Sequence, residues 1–196
     1  MRTGLRQIQT SYQRLFEAAR LFRVYSPILV PGLLQTEGRT RALLAGNARL
    51  LEAPDGSADA AVARVERSRI AHRSGRRFVF VIEEGVLRHR LGTADDMAAQ
   101  LGHLLTAGAP PAVSLGIIPM NRPRTLCAQE VFHLYDNALA PIELLSAEVD
   151  ITQPGEVALY EAAFEELRSM VVYGTDARAL VVTAVDALPA RTPDTA

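Results

Sequence analysis

Phe78-Val79-Phe80-Val81-Ile82-Glu83-Glu84 is the stretch that decides the fold. Consecutive β-forming apolar residues with no polar residue to mark a wet face are the pattern of a strand buried on both sides. Such a strand belongs in the interior of a sheet. The two glutamates fall at its carboxyl end, where open α/β sheets form their ligand crevices. Neighbouring strand residues point to opposite faces, so only one of the pair can look into a given pocket.

Downstream, Thr93-Ala94-Asp95-Asp96 offers an N-cap for a helix carried by Met97, Leu101, Leu104 and Leu105, which ends at Gly108 before Pro110-Pro111. Val113 to Ile118, Leu126 to Tyr135 and Ile142 to Leu145 have strand character, the second with a bulge or a break into two pieces at Gln129-Glu130. Glu156 to Val171 and Thr175 to Asp186 read as helices. Upstream, Ile8, Tyr12, Leu15, Phe16, Ala19 and Phe22 recur at helical spacing and predict an amphipathic lead helix reaching Phe22 to Val24. Pro27 and Pro31 then force extended backbone. Gly32 is expected to take a conformation that favours glycine, opening a helix over about Leu33 to Ala45. A loop over Asn47 to Ala58 leads to a charged helix from about Asp59 to Ser74, where Arg64, Arg67, Arg69 and Arg73 are partly balanced by Glu66.

Helices alternate with strands in the first half and adjacent strands follow in the second. That order predicts an α/β (α+β) fold with a mixed central sheet of about four to five strands and helices packed on it. A length of 196 residues fits one domain over 1–188, and the polar, proline-broken end at 189–196 is expected to be a disordered tail.

A formal charge of -1 gives no global attraction to nucleic acid. The single cysteine, Cys127, excludes an intrachain disulfide and any CxxC metal site, which suits a reducing cytoplasm. No apolar run approaches the ~20 residues that cross a bilayer, and Met1 to Gln9 lack the apolar stretch of a signal peptide. The expectation is a soluble cytoplasmic protein that does not engage a membrane.

The segment Tyr25-Ser26-Pro27-Ile28-Leu29-Val30-Pro31-Gly32-Leu33-Leu34-Gln35-Thr36-Glu37 resembles the run that opens the C-terminal domain of actinobacterial helix-turn-helix regulators of the XRE, antitoxin-like type. The resemblance extends in order through the strand closed by Glu83-Glu84, the strand ending Ile117-Ile118-Pro119, the run Pro141-Ile142-Glu143-Leu144-Leu145 and the two last helices. It departs from the family where Glu-Glu replaces the expected Asp-Glu and where Arg88-His89-Arg90 is more basic. Met1 to Val24 hold one helix and no helix-turn-helix, so the expectation is a regulator body without its DNA reader. The resemblance implies a sensor or partner-binding module, and a small toxin-like protein as its partner.

Among candidate site residues, Glu83 or Glu84 could present an anion to a cationic or hydroxyl-bearing ligand, or pair with Arg88 on the next turn. Arg88, His89 and Arg90 could receive a phosphate, a carboxylate or an acidic protein, or be an ordinary solvated face. Glu143 lies inside an apolar run, where a buried unpaired charge would be costly, so it faces solvent, a partner or a pocket. His133 and Tyr135 share a strand face. If that strand is unbroken, Cys127 lies on the face of His133 as a nucleophile pair, against the plainer reading of a small buried thiol. His72, His89, His103 and His133 show no HxxxH or HExxH spacing, so no metal is expected, and no cofactor motif occurs.

The leading expectation is an effector- or partner-binding module for a small molecule or small partner protein, with Glu84, Arg88, His133, Tyr135 and Glu143 lining one cavity. The alternative is a cofactor-independent cyclase or isomerase of a biosynthetic pathway, with Glu84 and Glu143 as general acid and base. A third reading is a decoy that dimerises with full-length regulators, and a homodimer is also left open.

Overall fold

The computed structural model describes residues 18–50, 52, 56–68, 75–107, 111–144 and 147–189. Among these, six strands make one sheet: β1 (Leu21–Ser26), β2 (Arg77–Glu83), β3 (Val113–Ile118), β4 (Phe132–Tyr135), β5 (Ala140–Glu143) and β6 (Glu148–Ile151). Their spatial order is β3-β2-β1-β4-β5-β6. β1, β2 and β3 run parallel, while β4, β5 and β6 each run antiparallel to the neighbour before them in the sheet. The sheet is therefore mixed, as the sequence predicts, and it has one strand more than expected.

Parallel neighbours need a crossover. The helices α1 (Glu37–Leu50) and α2 (Ser57–Ser68) link β1 to β2, and α3 (Ala94–Ala107) links β2 to β3. Thr93 caps α3 as expected: Asp96 N–H donates to Thr93 Oγ1 (3.1 Å) while Thr93 N–H donates to the Asp96 carboxylate (2.9 Å), a reciprocal capping box. The helices α4 (Pro154–Ser169) and α5 (Gly174–Asp186) close the fold.

Strand alternation sorts the core into two layers. On one face Phe22, Val24, Phe78, Phe80, Ile82 and Ile117 pack with Met97, Leu101 and Leu104 of α3 and Ala177 and Val181 of α5. Tyr135, Phe22 and Phe78 stand side by side in register across three strands, with Phe22 and Phe78 stacked at 4.6 Å. On the other face Tyr25, Val81, Ile118, Phe132 and Leu134 pack against Val157, Phe164 and Leu167 of α4. Both sides of Phe78 to Ile82 are thus covered, which is why that run carries no wet face.

Several expectations are corrected. Residues Leu21–Ser26 are a strand and not the end of a lead helix, since their side chains enter both layers; the part of that helix over 1–17 lies outside the described residues. Gly32 begins a 3-10 turn (Gly32–Leu34) and is not among the glycines with left-handed backbone, which among the described residues are Gly75, Gly92 and Gly174. Pro31 is extended (φ -52, ψ 140), as a proline before a turn should be, and α1 starts only at Glu37. Of Leu126 to Tyr135 only Phe132–Tyr135 is a strand, so Cys127 does not share a strand with His133, and it is exposed. His72 and the tail from 190 lie outside the described residues, as do 69–74 at the end of the charged helix.

Candidate functional site

The carboxyl ends of the parallel strands gather Glu83, Glu84 and the segment that follows β3. Glu83 lies on the α4 face and binds Arg124, with Nη2 to Oε2 at 2.6 Å and Nη1 to Oε1 at 3.3 Å. Tyr25 donates its hydroxyl to the same carboxylate at 3.0 Å, and Arg124 also donates to Pro119 O at 3.1 Å. Burial, reinforced by the Glu83 charge, pushes the Tyr25 hydroxyl well above its ordinary pKa. Glu84 enters the 3-10 turn Glu84–Leu87, accepts the Met120 N–H at 2.8 Å and pairs with Arg88 at 3.4 Å. Each of these groups has its counterpart, so the cluster fastens residues 119–128 onto the sheet.

The amino ends of the same strands present the opposite case. One helix about 10 Å wide covers roughly two strands at a spacing of about 4.8 Å, and α4 is the α-helix packed on this face among the described residues. Towards β3 a groove of about 460 Å³ remains, lined by Leu21, Arg23, Val79, Ser114 and Phe164, with Arg77, Glu165, Arg168 and Tyr173 around them. Arg168 is neutralised by Glu165 at 2.6 Å. Arg23 spends Nη2 on Glu161 (2.6 Å) and on the Asp136 carbonyl, while its buried Nε has no acceptor among the described residues. Arg77 is exposed at the start of β2 and has no carboxylate partner among the described residues. Donors exceed acceptors here, so the groove can hold an anion.

Gly116 shapes the groove's outer wall. A Cβ there would lie 2.7 Å from Tyr173 Cε1 and would also collide with Val171, so only glycine lets the Tyr173 ring lie against β3. Tyr173 is only partly exposed, and burial raises its pKa, which keeps the hydroxyl protonated beside Arg168 and Glu165.

A family model described as a domain of unknown function, DUF5753, matches residues 9–182. The chain belongs to the DUF5753 family. No curated protein and no solved structure matches it.

In this DUF5753 domain the residues expected in one cavity occupy separate places. Glu84 and Arg88 meet at the carboxyl end of β2. His133 and Tyr135 face the α3 and α5 layer, opposite Val24 and Phe22, with their rings edge-on at 6.2 Å. Glu143 ends β5 and pairs through its Cα with Glu148; β1 and β4 stand between β5 and β2, a backbone separation of about 14 Å. None of Glu84, Arg88, His133 and Tyr135 lines the groove. His89 reaches Ile28 O from Nδ1 at 2.8 Å. Among the described residues no group of three or more His, Cys, Asp or Glu is gathered to hold a metal, and no helix is long and apolar enough to cross a membrane.

Sequence reading missed the groove arginines because nothing but the fold gathers them. It also missed Arg39 in the first turn of α1, which is completely buried. Arg39 Nη1 donates to His89 O (3.1 Å) and touches Met97 Sδ (3.0 Å), but Nε and Nη2 have no partner among the described residues, and burial lowers its pKa. A wholly buried cation with no carboxylate partner among the described residues has no local sequence signal.

Proposed function

We propose that this domain is an effector- or partner-binding module of the kind found in the C-terminal body of antitoxin-like regulators, that a small molecule is its effector, and that it does not itself bind DNA. The observation that carries this reading is the groove: an open concavity of about 460 Å³, within the range of small-ligand sites, over which Arg77 stands without a counter-charge among the described residues. The likeness of Tyr25 to Glu37 to the opening of such regulator bodies supports the role. The cyclase or isomerase alternative has less to rest on, because Glu84 is engaged by Met120 N–H and Arg88, and two strands separate it from Glu143.

Native mass spectrometry of the full chain after incubation with the low-mass fraction of a cell extract tests the reading. A non-covalent adduct, released unchanged on denaturation, is the expected result. Consumption of a compound with release of a new one would favour the enzyme. An absence of any adduct, or a duplex-DNA mobility shift that persists at physiological salt, would overturn the proposal.

A further inference from the structure

β3 is the outer strand of the parallel half, and a second concavity lies on its other face. This cleft, about 410 Å³, opens between α3 and α5 and is walled by Leu104, Leu105, Val113, Leu115, Ala177 and Val181. Its cation, Arg178, is engaged in donating to Leu105 O at 3.2 Å, where a positive charge suits the last turn of α3. What remains is mainly aliphatic, with Ser114, Tyr173 and Gly174 at its β3 edge. The two concavities share Ser114 and Tyr173, so they meet around the edge of β3.

The edge between them is polar and open. Phe78 N–H donates to Ala112 O on the inner side of β3, while Ile117 exchanges both hydrogen bonds with Val172 on the outer side. Alternation along the strand therefore turns the Leu115 N–H and C=O outward as well, where they have no partner among the described residues. The chain leaves this edge at Gly174, whose left-handed backbone (φ 58) turns it from the bridge at Val172 into α5. The Tyr173 ring lies down at Gly116, and Ser114 contributes only a small side chain to the passage.

We infer that the effector is an anionic amphiphile bound astride β3, its apolar part in the α3–α5 cleft and its acidic head in the groove beside Arg77 and Arg23. This deepens the binding-module reading and rests on it. The division of chemistry across one strand carries the inference: a purely polar anion would leave the apolar cleft empty, and a neutral hydrocarbon would leave Arg77 unanswered. The Leu115 N–H offers a hydrogen bond at the point where head and tail join.

Straight-chain carboxylates from butanoate to decanoate, with decan-1-ol as the neutral control, test this by calorimetry on the full chain below their micelle concentrations. Affinity should rise about two- to fourfold for each methylene added. Decanoate should bind about tenfold more tightly than decanol, and Arg77→Ala should remove that advantage without weakening decanol; Arg77→Lys should retain part of it. Amide shifts on adding decanoate should centre on Ser114, Leu115 and Tyr173. Affinity independent of chain length, equal binding of acid and alcohol, or an unaffected Arg77→Ala would each overturn the inference. So would co-sedimentation with phosphatidylglycerol vesicles in place of binding the free acid. Retention of a low-mass compound from the extract by a chain that binds none of these acids would overturn the amphiphile alone and leave the binding module standing.

Discussion

At the carboxyl end of β2 both glutamates have been matched, whereas at the amino ends of β1, β2 and β3, a few residues away along the same strands, guanidinium donors outnumber acceptors among the described residues. Glu83 takes both Arg124 nitrogens and the Tyr25 hydroxyl, and Glu84 takes a backbone N–H. Arg77 has no such answer, and Arg23 keeps an unused Nε. The difference separates fastening from recognition. A closed network has no capacity left for a ligand, while an exposed guanidinium such as Arg77 over an open groove costs little because water can satisfy it until an anion arrives.

The comparison breaks most visibly if the fastened end is cut. Glu83→Ala leaves the part-buried Arg124 without its carboxylate and should destabilise the fold by about 3 kcal/mol, read from urea unfolding. A loss below about 0.5 kcal/mol would mean that the cluster is ordinary surface chemistry.

Alkaline unfolding examines the same end. The folded pKa of Tyr25 is raised above its ordinary value of 10.0, so its contribution is complete below pH 10 and is lost as the pH climbs beyond it. One such group gives a slope of up to about 1.4 kcal/mol per pH unit above that point. Tyr25→Phe should flatten the slope; an unchanged slope would place the alkaline sensitivity elsewhere.

Arg39 sharpens the contrast from a third place, because its surplus donors are sealed instead of open to water. Arg39→Met preserves much of the volume and removes the buried charge, so the melt should rise, by about 1 kcal/mol in stability. A clear loss would show that the charge has an answer that its neighbours do not reveal.

The smallest effect belongs to the open end. Arg77→Ala should change stability by no more than about 0.5 kcal/mol, since the side chain is exposed and unpaired among the described residues. A large loss on thermal denaturation would make Arg77 part of the scaffold, and the two ends would no longer differ.

Much of the fold was legible because local pattern and tertiary role agreed. Phe78 to Ile82, Val113 to Ile118, the Thr93 cap and the last two helices fall within a few residues of where periodicity puts them. β1 was misread since Ala19 and Phe22 continue the helical spacing of Leu15 and Phe16, while Leu21-Phe22-Arg23-Val24-Tyr25-Ser26 is equally able to face two layers. Short β6, with Val149 exposed, carries little hydrophobic signal. The acids stood out in the sequence by lying next to apolar runs, yet their partners, such as Arg124, come from loops that no pattern links to them. The reverse holds for the groove, whose arginines are ordinary in their own segments and meaningful only together.

β1 bonds to β2 on one side and to β4 on the other, and its contacts with the turn after β4 span 113 residues, as in the bond from Arg23 to Asp136. On a ribosome adding about 5–20 residues each second, that partner is made roughly 6–23 s after β1 itself. During that interval the strand that will hold the two halves of the sheet together has at least one flank without its mate. Closing so long a loop is also entropically late in refolding, which places this chain among slow-folding topologies. The nascent protein therefore passes through a stage in which Phe22 and Tyr25 belong to a finished strand of an unfinished sheet.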